Sequence, residues 1–204
     1  MGIIIGISGK IGSGKSTAAK YLIDNMPHLR FEEKFFAYNV KMIASIISGL
    51  PMEVMLSQEG KNMQLPLYDG ITVGRLQQVI GTDLFRDHFD KMVWVKSMFA
   101  PYDRAKDNWI VSDVRFRNEA DYVKQMGGIL VRLEGDPAGV RSNSTRDMNH
   151  PSETELDDYD GFDVLVQTEP GEAKLRSLTA YMGVAIIHIE RGRPREEILK
   201  YTVI

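Results

Sequence analysis

The chain contains no cysteine. That excludes disulfides, zinc–thiolate centres and a thiol nucleophile, and it fits a reducing cytoplasm, the expected compartment. Nor is there a surplus of positive charge. Lys and Arg number 25 against 28 Asp and Glu, giving a net charge of −3 and an isoelectric point near 5.8. The footprint of a nucleic-acid binder is therefore missing, and no nucleic-acid partner is expected. No apolar run approaches the ~18 residues of a membrane span, so no membrane partner is expected either. Met1-Gly2 leads straight into an apolar stretch without the basic region of an export signal. Gly2 is a poor myristoylation acceptor, because position 6 is Gly6 rather than a hydroxyl residue. There is no internal repeat and no low-complexity tract. What is present is 204 residues, 43% hydrophobic, enough to fill one α/β core without help.

The chain is organised around Gly9-Lys10-Ile11-Gly12-Ser13-Gly14-Lys15-Ser16-Thr17, a match to the phosphate-cradling loop G-x-x-x-x-G-K-[ST]. Residues 3–8 before it form a short apolar stretch that suits a buried parallel strand. Residues 16–25 after it carry Ala18, Ala19, Leu22 and Ile23 at helical spacing. Gly9, Gly12 and Gly14 allow several backbone N–H groups to converge on one phosphate. The following helix adds the positive end of its dipole. Lys15 supplies a point charge for the β- and γ-phosphates, Ser16 a hydroxyl for Mg2+, and Thr17 lies towards the α-phosphate. A nucleoside triphosphate site is the first expectation, with Gly9, Gly12, Ser13, Gly14, Lys15, Ser16 and Thr17 holding ATP.

Further strands are expected over residues 30–38, 108–113, 129–133 and 162–166, alternating with helices. The expected fold is therefore α/β: a three-layer P-loop NTPase fold with a five-stranded parallel sheet. The whole of residues 1–204 reads as one domain. Within it lie a helical, acceptor-binding region over residues 38–107, a lid-like segment over residues 135–161 and a C-terminal extension over residues 183–204. In the helical region, Lys41 is either an active-site cation or a solvated lysine. Met52, Met55 and Met63 fit a core better than a pocket. Thr72 is expected to cap a helix over residues 73–80 that breaks at Gly81-Thr82-Asp83. Arg75 falls in that helix's first turn, where a cation opposes the dipole, which favours anion binding over stability. Trp94 is expected in the core. Asp113 ends its strand where an acid can orient Mg2+, or else it caps the next helix. Arg115 and Arg117 follow at a strand end that faces ligand in open α/β sheets.

In the lid-like segment, Ser152 and Glu155 suggest a capping box for a helix over residues 153–159, and His150 reads as structural. Residues 185–189 are expected as an edge strand and residues 194–201 as a helix. Arg191, Arg193 and Arg195 read as a solvated face or as a dimer or partner contact.

Arginines recur at places expected to face phosphate: Arg75, Arg86, Arg115, Arg132, Arg141 and Arg146. Hydrolysis by water needs few of them; joining two phosphates needs far more charge neutralised. Four stretches taken together resemble the deoxynucleoside monophosphate kinases of bacteriophages. They are the P-loop; residues 75–84, RLQQVIGTDL, with Trp94-Val95-Lys96 behind; Asp113-Val114-Arg115; and His150-Pro151-Ser152-Glu153 followed by residues 162–166. The resemblance covers the chain to about Met182 and implies a nucleoside monophosphate kinase-like fold. It also implies transfer of the ATP γ-phosphate, with Mg2+, to a deoxynucleoside monophosphate.

On that resemblance Arg75 and Arg86 hold the acceptor, with Lys41, Asp83, Asp113 and Arg115 beside it. Arg115 lies by the transferring group, and Arg141 or Arg146 closes from the lid. Gln167 and the loop after it border the adenine, Arg132 joins the ATP side, and Ser16 with Asp113 serves Mg2+. If the chain is phage-encoded, it acts in the host cytoplasm. The opening of the chain also resembles dephospho-coenzyme A kinase, without that family's acidic acceptor motif. A nucleotide sensor or scaffold that binds without turnover is the alternative from another class.

Overall fold

The computed structural model describes residues 2–137, 139, 148, 151–190 and 202–204. In chain order the elements are β1 (Ile4–Gly9), α1 (Lys15–Asn25), a 3-10 turn (Pro27–Leu29), β2 (Glu32–Lys34), α2 (Tyr38–Ser48), α3 (Met52–Leu56), α4 (Gln58–Asn62) and α5 (Val73–Gln78). A π-helical stretch (Val79–Leu84) follows, then α6 (Val93–Phe99), β3 (Trp109–Val114), α7 (Arg117–Gln125), β4 (Ile129–Glu134), α8 (Pro151–Thr154), β5 (Val164–Gln167), α9 (Ala173–Glu190) and β6 (Thr202–Val203). The chain divides into two units. One comprises Met1–Lys34 with Asp103–Ile204, and the other Phe35–Tyr102.

The first unit is built on a parallel sheet of order β2-β3-β1-β4-β5-β6. β1 is buried at all six positions, because it is paired on both edges and covered on both faces. Its side chains alternate between two helical layers, as the two-residue period of a strand requires. Ile5 and Ile7, with Ile129, Val131 and Leu133, pack with Ala18, Ala19 and Leu22 of α1 and Leu178, Met182 and Ile186 of α9. The opposite side of β1 at Gly6 meets Leu130, Val114 and Val123 of α7. Two helical layers on one sheet make the three-layer α/β fold that the alternation of elements predicts.

The five expected strands are present, with corrections. β2 is only three residues long, because the chain turns at Phe35 and starts a helix at Tyr38. A short sixth strand, Thr202–Val203, joins the edge beyond β5. Residues 185–189 are helical, not an edge strand. Leu178, Met182, Ala185 and Ile186 recur at helical spacing on the buried face, so α9 continues to Glu190. Residues 191–201, with the basic cluster and the expected second helix, lie outside the described residues.

The second unit is helical, with its core formed by Val40, Ala44, Met55, Leu65, Val73, Ile80 and Trp94. Met55 is fully buried, as a core role predicts, whereas Met63 is largely exposed. Gly81-Thr82-Asp83 does not break the chain. α5 runs directly into the π-helical stretch, whose last residues carry this tripeptide. Trp94 is 3% exposed, its ring 5.1 Å from that of Phe85 and its indole N–H on the Gly81 carbonyl at 2.7 Å. No helix among the described residues is long and apolar enough to cross a membrane.

Candidate active site

The carboxyl end of β1 and the start of α1 enclose the glycine-rich loop. Gly14 is the N-cap of α1 with φ +88°, and no side chain caps the helix there. The first-turn amides of α1 thus face an anion position rather than a protein acceptor. Gly9 has φ +152°, and a Cβ at that position would stand 2.3 Å from Ser13 Oγ and 2.6 Å from the Leu133 carbonyl. Only glycine lets the loop pass so close to β4. Lys15 Nζ donates to the carbonyls of Gly9 at 2.6 Å and Lys10 at 2.9 Å, so its ammonium lies folded over the loop. Ser13 Oγ is buried and makes no hydrogen bond. Ser16 and Thr17 are exposed on the first turn of α1.

Two cavities flank the loop. One, of about 300 Å³, is lined by Ser13, Gly14 and Thr17 on one side and by Pro137, Thr168, Pro170 and Leu175 on the other. The other, of about 350 Å³, is lined by Lys10, Arg132, Leu133, Glu134, Asp157 and Gln167. The structure therefore brings Ser13, Gly14 and Thr17 together with the loop after β5. It places Arg132 and Gln167 on the second cavity, with Lys10 of the P-loop.

Asp113 lies on β3, half-buried, next to Val114, whose register partner is Ser8 just before the loop. The turn after β3 is held by Glu119. Its carboxylate is 2% exposed and accepts from the backbone N–H of Arg115 at 2.9 Å and of Phe116 at 3.2 Å. Arg115 Nη1 donates to Glu153 Oε1 at 2.5 Å and to the Ser152 carbonyl at 3.1 Å. Arg132 is 6% exposed, with Nη2 on Asp157 Oδ1 at 2.8 Å and Nη1 on Ser8 Oγ at 3.3 Å.

Residues 151–158 are tied to the P-loop, α7 and β4 more closely than their sequence pattern suggests. The helix there is Pro151–Thr154, shorter than residues 153–159. Glu155 does not close a capping box on it; its carboxylate accepts from the Arg117 N–H at 2.9 Å and so caps α7 instead. Asp157 bridges Lys10, at 2.6 Å, and Arg132. Glu153 accepts from the Ile11 N–H of the P-loop at 2.8 Å. Burial pushes the Glu153 carboxyl up, but the Arg115 charge, the Ile11 amide and Lys15 more than offset it, leaving it below the usual carboxylate range. The acidic run Glu153, Glu155, Asp157, Asp158 was the available signal for these contacts. It reads as a solvated loop because its cationic partners lie far away in sequence.

In the second unit, the Thr72 side chain accepts from the Arg75 N–H at 3.2 Å, the cap expected for α5. Arg75 Nη2 pairs with Asp83 Oδ2 at 3.2 Å, both half-exposed. Lys41 is half-buried on α2, and Arg86 follows the π-helical stretch. Arg141, Arg146 and His150 lie outside the described residues.

A parallel sheet with a glycine loop between its central strand and an uncapped helix defines a P-loop protein of the α/β class. Within it, the chain belongs to the deoxynucleotide monophosphate kinase family, whose family model matches residues 51–180. A putative deoxynucleotide monophosphate kinase of Acanthamoeba polyphaga mimivirus is 35% identical over 179 residues, covering 80% of this chain and 87% of that protein. The deoxynucleotide monophosphate kinase of Enterobacteria phage T4 is 35% identical over 97 residues, 46% of this chain and 38% of that protein. The deoxynucleoside-5'-monophosphate kinase of Escherichia phage T5 is 25% identical over 218 residues, 76% of this chain and 85% of that protein. Among solved structures, shikimate kinase from Acinetobacter baumannii in complex with shikimate overlays with a TM-score of 0.46 at 14% identity, covering 93% of this chain and 96% of that chain. The protein is thus a kinase of nucleotide metabolism, as its sequence motifs imply.

Proposed function

We propose that the protein transfers the γ-phosphate of ATP to a deoxynucleoside monophosphate, giving the diphosphate and ADP. The observation that carries this reading is the P-loop itself: an uncapped α1, glycines at positive φ and Lys15 folded over the loop, beside a cavity of about 300 Å³. The loop amides and the α1 dipole would hold the triphosphate, and Lys15 would exchange backbone carbonyls for phosphate oxygens. Thr168, Pro170 and Leu175 would flank the adenine. Arg75 and Arg86, with Lys41 and Asp83, would bind the acceptor. Arg115 would lie by the transferring group, assisted by Arg141 or Arg146. The acceptor phosphate is already an anionic nucleophile, so no general base is required.

Ser16 Oγ and the Asp113 carboxylate suit Mg2+, a hard cation that takes one or two protein oxygens and completes its shell with phosphate and water. When bound, it neutralises charge developing on the transferring group. The test is ADP production from ATP and Mg2+ with each deoxy- and ribonucleoside monophosphate in turn, with dephospho-coenzyme A in the same panel. Turnover with one or more deoxynucleotides is expected. Turnover only with dephospho-coenzyme A, or none with any monophosphate, would overturn the reading.

A further inference from the structure

Glu153 has no part in the phosphoryl-transfer scheme above, yet its side chain is only 1% exposed and both its oxygens are engaged. Oε2 accepts from the Ile11 amide at 2.8 Å, and Oε1 accepts from Arg115 Nη1 at 2.5 Å. One carboxylate therefore joins the tip of the P-loop, the arginine that follows β3 and the helix α8. Ile11 lies between Gly9 and Gly12, where the backbone has the least intrinsic stiffness. The neighbouring acids do other work: Asp157 holds Lys10 and Arg132, and Glu155 caps α7. A carboxylate is the side chain this place requires. A glutamine offers one accepting oxygen and would turn its NH2 towards the second donor.

We propose that Glu153 is a positioning residue for phosphoryl transfer, fixing the P-loop through the Ile11 amide and aiming Arg115 at the reacting phosphates. The proposal rests on the kinase reading. Its physical basis is that a misplacement of about 1 Å can cost about a hundredfold in rate.

The test compares wild type, Glu153→Gln, Arg115→Ala and the double variant of the full chain. It measures kcat with the accepted monophosphate, the Kd for ATP without acceptor, and thermal unfolding. Glu153→Gln is expected to stay folded, to lose about tenfold or more in kcat and to bind ATP more weakly. The double variant is expected to lose less than the product of the two single losses, since Glu153 acts in part through Arg115 and in part through the Ile11 amide. Wild-type kcat and ATP affinity in Glu153→Gln, or losses that multiply in the double variant, would overturn the proposal. If Glu153→Gln does not fold, Glu153→Asp decides: it keeps the charge but is one methylene too short to span both donors. Wild-type behaviour there overturns the assignment, and a lower kcat supports it. If wild type phosphorylates no acceptor, the kinase reading has failed. The ATP titration then judges Glu153 alone, with equal affinity in wild type and variant counting against it.

Discussion

The indole N–H of Trp94 donates to the carbonyl of Gly81 at 2.7 Å, tying α6 to the π-helical stretch that carries Gly81-Thr82-Asp83. A wider helical turn shifts the i→i−4 pattern and gives backbone carbonyls new partners. Trp94 supplies one while its ring packs on Phe85. Replacing it with Phe keeps an aromatic body and removes the indole donor from the half-buried Gly81 carbonyl. Trp94→Phe is expected to destabilise the protein by about 1–3 kcal/mol, read as a lower denaturant midpoint. An unchanged midpoint would mean that this hydrogen bond contributes nothing to holding the stretch.

Lys15 Nζ donates to two backbone carbonyls of its own loop, Gly9 at 2.6 Å and Lys10 at 2.9 Å. Its role should lie in phosphate chemistry and not in the fold. Lys15→Ala is expected to reduce transfer by at least about a hundredfold, with thermal unfolding close to wild type. Turnover near wild type would remove the P-loop lysine from the mechanism.

How much could be read in advance follows from where each signal lives. The P-loop, the buried strands and the Thr72 cap are local: residue types at short spacing dictate them, and the structure agrees. The errors fall where distant residues decide. Gly81 looks like a helix breaker until Trp94, thirteen positions later, donates its indole N–H to the Gly81 carbonyl. Ile186 and Ile187 look like an edge strand until Leu178 and Met182 show the same face meeting the sheet. Glu155 looks like a cap for its own helix, but its donor is the Arg117 amide, 38 residues away. The contacts of Glu153 and Asp157 are not legible in the sequence for the same reason: their partners Ile11, Lys10 and Arg132 lie across the P-loop and β4.

Arg75 meets Asp83 at 3.2 Å on the surface of its unit, with the two side chains 52% and 40% exposed. An exposed pair of this kind contributes about 0–1 kcal/mol to stability, so stability does not explain a cation in the first turn of α5. Arg75→Ala is expected to raise KM for the monophosphate by about tenfold or more while leaving KM for ATP and the unfolding temperature nearly unchanged. Steady-state kinetics with each substrate varied in turn would show this. Equal losses for both substrates, or none, would remove Arg75 from the acceptor site.

Glu153 also sets a pH dependence. Burial raises its pKa, but the Arg115 charge, the Ile11 amide and Lys15 together lower it by more. The folded-state pKa therefore lies below the unfolded value of about 4.3 for a glutamate. A depressed acid contributes stability that is complete above the unfolded pKa and is lost as pH falls through the folded one. The stability advantage of wild type over Glu153→Gln is accordingly expected to be constant from about pH 6 to 8 and to shrink below about pH 4.5. Denaturant midpoints of the two proteins at a series of pH values would measure it. An advantage that stays level into strong acid would mean that the ionised carboxylate is not what Arg115 and Ile11 hold. One that shrinks above pH 6 would mean that the carboxyl titrates higher than its two donors allow.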